Sequence, residues 1–194
     1  MTLEPREEMY DLYSLTGWFG VRRKGLMRNG FFPEGTYEVF AEVLPDNDPE
    51  HTVRSNHLTF SVRSPHGEEL EAETLLDEAQ SEYETERPKG EKSDGTLRSL
   101  ASTFPRSPYR PSALYLLQTI RYWNNDSLAV KQMAMILADE YPNTLMASAA
   151  VITPLTKMPR EDRKEYLEQV ASTHEGTKVA ISARHSLDAI RRHG

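Results

Sequence analysis

The sequence predicts an α+β protein that is mostly α: a short antiparallel β-sheet in residues 1–64, followed by an array of α-hairpins in residues 65–194. Three observations support this fold class. Apolar residues alternate with period two up to Ser64, and from Pro65 onward they recur with the period of a helix. Within the second region one turn-like motif then returns in two progressively altered copies.

Two strands are predicted to form an antiparallel hairpin. The segment TYEVFAEV has an apolar side opposed by glutamates, with Phe40 as the exception. The residues of the apolar side are Tyr37, Val39, Ala41 and Val43. The segment LTFSV alternates in the same way, and its inward residues are expected to be Leu58, Phe60 and Val62. Between the two segments PDNDPEHTV has the composition of a turn, and a third strand is predicted at residues 9–15.

The second region begins with a predicted amphipathic helix in GEELEAETLLDEAQSEYE. Its apolar residues follow helical spacing and are Ala72, Leu75, Leu76, Ala79 and Tyr83. The acidic residues occupy the opposite face. Residues 86–95 contain Pro88, Gly90 and Gly95, and we expect them to form a mobile loop.

Six or seven short antiparallel helices are expected in this region, the later ones from residue 96 onward. Residues 96–103 could supply two helical turns, Pro111 lies where the next helix should begin, and Asp126 or Ser127 is expected to cap the one after it. Pro142, Pro154, Pro159 and Gly176 separate the later helices. The expected inward residues are Ala113, Leu116, Leu117, Ile120, Trp123, Val130, Met133, Ile136, Leu137, Tyr141, Tyr166, Leu167, Val170, Val179, Ala183, Leu187 and Ile190.

A repeated turn links these helices. The stretch FPRSPYRPSALYLLQTIRYW, which begins at Phe104, returns as YPNTLMASAAVITPL from Tyr141 and more faintly as HEGTKVAISARHSL from His174. In each copy an alanine follows a Ser or Thr by six residues: Ser107 and Ala113, Thr144 and Ala150, Thr177 and Ala183. The three alanines are 37 and 33 residues apart, and a repeat of about this length is typical of stacked helical hairpins.

The order of these residues, an aromatic, a proline, Ser or Thr and then an alanine inside an apolar helix, resembles tetratricopeptide-like repeats of the bacterial envelope type. The resemblance covers roughly residues 96–190, although the spacings of 37 and 33 residues between successive copies depart from the usual period of that family. It implies a scaffold that holds peptides or protein partners. The resemblance gives no residue of this chain a catalytic role.

The first region resembles the last strands of a bacterial immunoglobulin-like β-sandwich. The similar segments are LEPREEMYDLYSLTGWFG, FFPEGTYEVFAEV and VRSNHLTFSVRSPHGEE. Arg6 stands where that family has a glycine, and the earlier strands of a sandwich are missing. We therefore expect the open sheet edge to be completed in one of three ways: by further strands of a longer gene product, by another chain, or by the helices. Self-association is one form of the second.

Composition excludes several classes of function. The net charge is −7, and residues 65–95 account for it, because they hold eleven acidic and three basic residues. This balance argues against nucleic-acid binding, which needs a basic face. The chain has no cysteine and no apolar run long enough to span a membrane, and its N-terminus does not resemble a secretory signal.

No motif predicts catalysis, a metal or another cofactor. The six histidines lack ligand spacing, and His51, His57 and His66 are interpreted as surface residues although they could converge at one end of the sheet. Neither a nucleophile elbow nor a glycine-rich phosphate loop is present. We therefore predict a protein that is not an enzyme.

Two sets of residues are candidates for partner binding. Tyr115 and Tyr122 lie off the main apolar stripe of their helix, where a curved helical array presents its surface to a partner. Trp18, Arg22 and Arg23 belong to the only basic and aromatic cluster in the sequence. A turn between strands, flanked by core aromatics, also explains that cluster.

These features favour a non-enzymatic adaptor or assembly module that binds another protein through the helical region. Two alternatives stay open: carbohydrate or cell-wall binding through the β region, and an accessory role beside an enzyme whose catalytic part is not in this chain. The sequence leaves the cellular location undecided. The bacterial periplasm or envelope is expected if the chain belongs to a longer secreted precursor, and the cytoplasm otherwise.

Overall fold

The computed structural model describes residues 34–39, 42–43, 53–54, 56–86 and 89–193. The chain divides into two compact units, Met1–Ser64 and Pro65–Gly194. The described residues contain four short strands in the first unit and seven α-helices with one 3-10 helix in the second. The protein is thus α+β and mostly helical, which confirms the predicted fold class.

The first unit contains the predicted antiparallel hairpin. Strand β1 (Gly35–Val39) pairs with β4 (Leu58–Val62), and β2 (Glu42–Val43) pairs with β3 (Val53–Arg54). Tyr37 lies opposite Phe60, and the two rings stack with their centroids 5.6 Å apart. Such a cross-strand aromatic pair stabilises one face of the sheet.

One inward residue of this hairpin was predicted incorrectly. Phe60 and Val62 are half-buried, but Leu58 is 59% exposed. Leu58 is the first residue of β4, where the paired length of the sheet ends, so alternation alone does not bury it. The strand predicted at residues 9–15 lies outside the described residues.

The helices of the second unit have short connections. Their bounds are α1 Glu68–Glu86, α2 Glu91–Thr103, α3 Arg110–Trp123, α4 Ser127–Glu140, α5 Leu145–Ile152, a 3-10 helix Thr153–Lys157, α6 Arg160–Thr173 and α7 Lys178–His193. None of the helices in the described residues has the length and apolarity needed to cross a bilayer.

The loop predicted at residues 86–95 is wrong at both ends, because Glu86 ends α1 and residues 91–95 belong to α2, while residues 87–88 lie outside the described part of the chain. Helix α2 begins at Glu91, so Gly95 lies inside the helix rather than in a loop. Three contacts hold this start in place: the Ser93 hydroxyl donates to the Gly90 carbonyl at 3.0 Å, the Lys92 amide donates to Glu86 at 3.0 Å, and Asp94 pairs with Arg121. These contacts outweigh the intrinsic cost of a glycine in a helix, which is about 1 kcal/mol.

The core follows most of the predicted helical stripes, but in α3 Leu114 is buried although it was not predicted to be, and Leu116 is only half-buried. Ala113, Leu117 and Ile120 are buried as predicted, whereas Trp123, the last residue of the helix, is 54% exposed. A polar residue that the apolar pattern did not identify, Gln118, is fully buried instead. Its amide nitrogen donates to the carbonyls of Val130 in α4 and Ala150 in α5, at 3.0 and 2.8 Å, and so joins three helices.

The three predicted copies have the same backbone turn. In each copy the aromatic or histidine amide closes the preceding helix, and its carbonyl accepts from the Ser or Thr three residues later. The closing bonds are Phe104 to Leu100, Tyr141 to Leu137 and His174 to Val170, at 2.9–3.1 Å. The following bonds are Ser107 to Phe104, Thr144 to Tyr141 and Thr177 to His174, at 3.0–3.1 Å. The alanines six residues after the Ser or Thr are all fully buried.

The hydroxyls of the turns cap helices in the second and third copies. Thr144 accepts from the Ala147 amide at 3.2 Å, and Thr177 accepts from the Ala180 amide at 3.3 Å. Ser107 differs, because its hydroxyl accepts from the Tyr109 amide, one residue before α3 begins.

The first helices of the copies pack on one another, α3 against α5 and α5 against α7. Their turns are also joined. Arg110 pairs with Glu140 and donates to the Tyr141 hydroxyl at 2.9 Å. The Val179 amide donates to the Pro142 carbonyl at 3.1 Å. The amide of the preceding residue, Lys178, donates to the side-chain oxygen of Asn143 at 3.2 Å. The second unit therefore fits a helical repeat.

Candidate partner-binding groove

One cavity of the helical unit contains a predicted binding residue, Tyr122. Its volume is about 150 Å³. The end of α3, the start of α4, the 3-10 helix and the segment before α6 all contribute to its walls. The lining residues are Tyr122, Ser127, Val130, Lys131, Pro154, Lys157, Met158 and Pro159.

Local sequence explains why these elements meet. Asn125 adopts the left-handed backbone conformation (φ 60°), which Asn tolerates better than most residues, and this reverses the chain between α3 and α4. Asp126 then caps α4 by accepting from the Ala129 amide at 3.0 Å. Pro154 is the second residue of the 3-10 helix, and Pro159 is the residue directly before α6. Two tight turns therefore place the cavity walls beside one another.

Lys157 is held over the ring of Tyr122. Its ammonium nitrogen lies 4.0 Å from the ring centroid, donates to the Asn125 side-chain oxygen at 2.8 Å and also contacts the Tyr122 carbonyl. The neighbouring Thr156 hydroxyl donates to the Tyr122 hydroxyl at 3.2 Å. A cation over an aromatic face contributes about 0.5–1 kcal/mol at an exposed site. The ammonium group is thus positioned by neutral groups.

A second cavity adjoins the first. It has a volume of about 380 Å³ and lies between α4 and α6. Its lining residues are Lys131, Met135, Met158, Asp162, Glu165, Tyr166 and Gln169. Because Lys131 and Met158 line both cavities, the two are adjacent, and we call them together the α4–α6 groove.

The groove has an apolar floor with charged sides. Val130 and Met158 are buried, while Met135 and Tyr166 are half-buried. The Tyr166 hydroxyl is enclosed without a hydrogen-bond partner among the described residues, and burial raises the pKa of this group to about 12. Tyr166 therefore acts as an apolar ring that retains an unused donor.

The charges of the groove have opposite signs in its two parts. Lys131 and Lys157 line the smaller cavity, whereas Asp162 and Glu165 line the larger one together with Lys131. Within the described part of the chain none of these four side chains forms an ion pair. Lys164, also on α6 but not part of the lining, does pair with Glu168 at 3.7 Å.

The structure separates the two predicted tyrosines. Tyr122 lines the groove, but Tyr115 lies seven residues earlier, about 10 Å along the axis of α3, and packs half-buried against the core. Trp18, Arg22 and Arg23 lie outside the described residues, so their binding role stays a prediction. Sequence reasoning missed Lys131, Lys157 and Met158. The only sequence signal for them was the pair of prolines, Pro154 and Pro159, that bends the chain around the groove.

No group of three or more His, Asp or Glu side chains that could hold a metal ion occurs within the described residues. His57 instead contacts Glu38 at 2.8 Å on the exposed side of the sheet, and His66 lies 3.9 Å from Glu69. His51 lies outside the described part of the chain.

Comparison of the chain with known protein families, with curated proteins and with solved structures finds no match. The fold and the groove therefore provide the basis for a functional proposal.

Proposed function

We propose that the protein is a non-enzymatic adaptor or assembly module that binds another protein through its helical unit. The observation that carries this proposal is the α4–α6 groove, which combines an apolar floor with unpaired charges on its sides. Grooves of this character between helices receive segments of partner proteins.

The architecture supports a tetratricopeptide-like identity for residues 65–194. Three turns have the same backbone hydrogen bonds, and the helices that follow them stack in sequence order. Each copy thus contacts its neighbours, as in arrays that present extended surfaces to partners. For residues 1–64 we propose a partial immunoglobulin-like sheet, which the antiparallel pairing of β1 with β4 supports.

Selection from a random peptide library tests the binding function. The probe is a displayed library of peptides of about 12 residues, which reach about 40 Å when extended. The immobilised target is the full chain, and the dissociation constant of each enriched peptide is then measured by fluorescence anisotropy. We expect micromolar peptides whose affinity falls about tenfold in Tyr122→Ala, because the ring and the Lys157 contact it holds are lost together.

Leu128→Ala is the matched control. Leu128 is a 69% exposed apolar residue near the same turn, but it does not line the groove. Its truncation should leave the peptide affinities within about twofold. A library that yields no binder, or binders that Tyr122→Ala and Leu128→Ala affect equally, would contradict the proposal.

A further inference from the structure

We infer that the α4–α6 groove binds an extended internal segment of a partner protein in which apolar residues separate an acidic residue from a basic one. The inference rests on the proposed adaptor function and specifies the chemistry of its partner. The acidic side chain lies against Lys157 and Lys131, and the basic side chain lies against Asp162 and Glu165.

The cationic part of the groove is pre-positioned for a carboxylate. A lysine ammonium group has three N–H donors. In Lys157 two of them are directed to the Asn125 side chain and the Tyr122 carbonyl, and the Tyr122 ring supports the group from one side. One donor and the full positive charge have no acceptor or carboxylate among the described residues. Because Lys157 is already held, binding an anion costs less side-chain entropy than it would at a free lysine.

The opposite part of the groove prefers a cation. Asp162 and Glu165 lie on one side of α6, in its first two turns, and both line the larger cavity. A basic side chain placed there compensates both carboxylates. Two charges of the same sign on a ligand would be repelled at one end of the groove or the other.

The middle of the groove requires apolar side chains. Met158 lines both cavities, and Met135 and Tyr166 add apolar surface to the larger one. Methionine side chains adapt to ligands of different shape. The groove is therefore defined by its charge pattern and tolerant of the identity of the apolar residues.

The occupant is an internal segment, because apolar surface continues past Lys157. Trp123 packs edge-on against Tyr122 with its ring 5.4 Å away and is 54% exposed. A segment that places a carboxylate on Lys157 can continue over the Trp123 ring. A chain terminus would leave that ring uncovered.

The charges of the library-selected peptides test this inference on the full chain. Enriched peptides should contain one acidic and one basic residue separated by apolar residues, in either chain direction. For the strongest peptide, synthesised with blocked termini, neutralising either charge should weaken binding about threefold to tenfold.

A charge reversal in the protein should increase the affinity for one peptide, which a misfolded variant cannot do. Lys157→Glu should weaken the peptide with one acid and one base about tenfold and should strengthen a matched peptide whose acid is replaced by lysine. Lys178→Glu is the control, because Lys178 is an exposed lysine of α7 that does not line the groove. It should leave both affinities unchanged.

Several outcomes overturn the inference, and they can be distinguished from a failure of the adaptor function. Binders that depend on Tyr122 but show no charge preference would leave the adaptor function standing and remove the stated partner chemistry. Binding that requires a free C-terminal carboxylate would replace the internal segment by a chain terminus. A dimer in sedimentation that Tyr122→Ala dissociates would make the groove a contact between copies of this chain. No binder at all would contradict both proposals.

Discussion

Gly90 determines how the chain passes from α1 to α2. It has a left-handed backbone conformation (φ 60°) and is buried at the start of α2. A Cβ atom built at this position would lie 3.0 Å from atoms of Tyr83, Ser93 and Ile120, which belong to α1, α2 and α3. Backbone conformation and packing therefore both require glycine here.

Gly90→Ala should destabilise the helical unit by about 2–5 kcal/mol, because the left-handed conformation costs about 1–2 kcal/mol and the overpacking about 1–3 kcal/mol. Gly95→Ala is the control, and its effect on stability should have the opposite sign. Gly95 lies inside α2 with open space around the position of a Cβ, so alanine should stabilise the unit by up to about 1 kcal/mol. Urea unfolding of the full chain, followed by helical circular dichroism, measures both. Equal stability of the two variants would show that Gly90 is not constrained in this way.

At the scale of the element, the three turns were predictable because they depend on short-range chemistry. An aromatic residue or histidine followed three residues later by Ser or Thr marks where one helix ends and the next begins, and the hydroxyls of Thr144 and Thr177 cap the helices that follow. The helix start at Glu91 was missed for the opposite reason. One of the contacts that hold it joins Asp94 to Arg121, which is distant in sequence.

Removing the turn hydroxyl should lower the stability of the unit by a different amount in the first copy than in the second and third. Thr144→Ala and Thr177→Ala should each cost about 1 kcal/mol, whereas Ser107→Ala should cost less, because Ser107 bonds an amide that precedes its helix. Thr144→Ser retains the acceptor and should restore most of the loss. The free energies come from urea unfolding of the full chain. A larger loss for Ser107→Ala than for Thr144→Ala would contradict this assignment of the caps.

At the scale of the molecule, the groove was not predictable from the pattern of apolar residues. Lys131 and Lys157 are distant in sequence and come together only because α3, α4 and the 3-10 helix pack closely. Periodicity identifies the buried face of each helix but not the distance between two helices. Tyr122 could be identified because it lies off the apolar stripe, whereas Tyr115 satisfied the same criterion and packs against the core.

The helical unit is held together by contacts between successive copies. Stacking of α5 on α7 is accompanied by backbone bonding between their turns, since Val179 donates to Pro142. The first amides of a helix have no partner within that helix. The preceding copy supplies the acceptor for α7, and this couples the two copies directly.

Amide hydrogen exchange at Val179 in the full chain is the most direct test of the stacked repeat. Val179 is the second residue of α7, and the internal reference is Leu128, the second residue of α4, whose amide has no acceptor among the described residues. Stacking predicts that Val179 exchanges as slowly as the buried residue Ala183 within the same helix, while Leu128 exchanges freely. Exchange of Val179 as fast as that of Leu128 would show that the third copy does not stack on the second, and would contradict a repeat array.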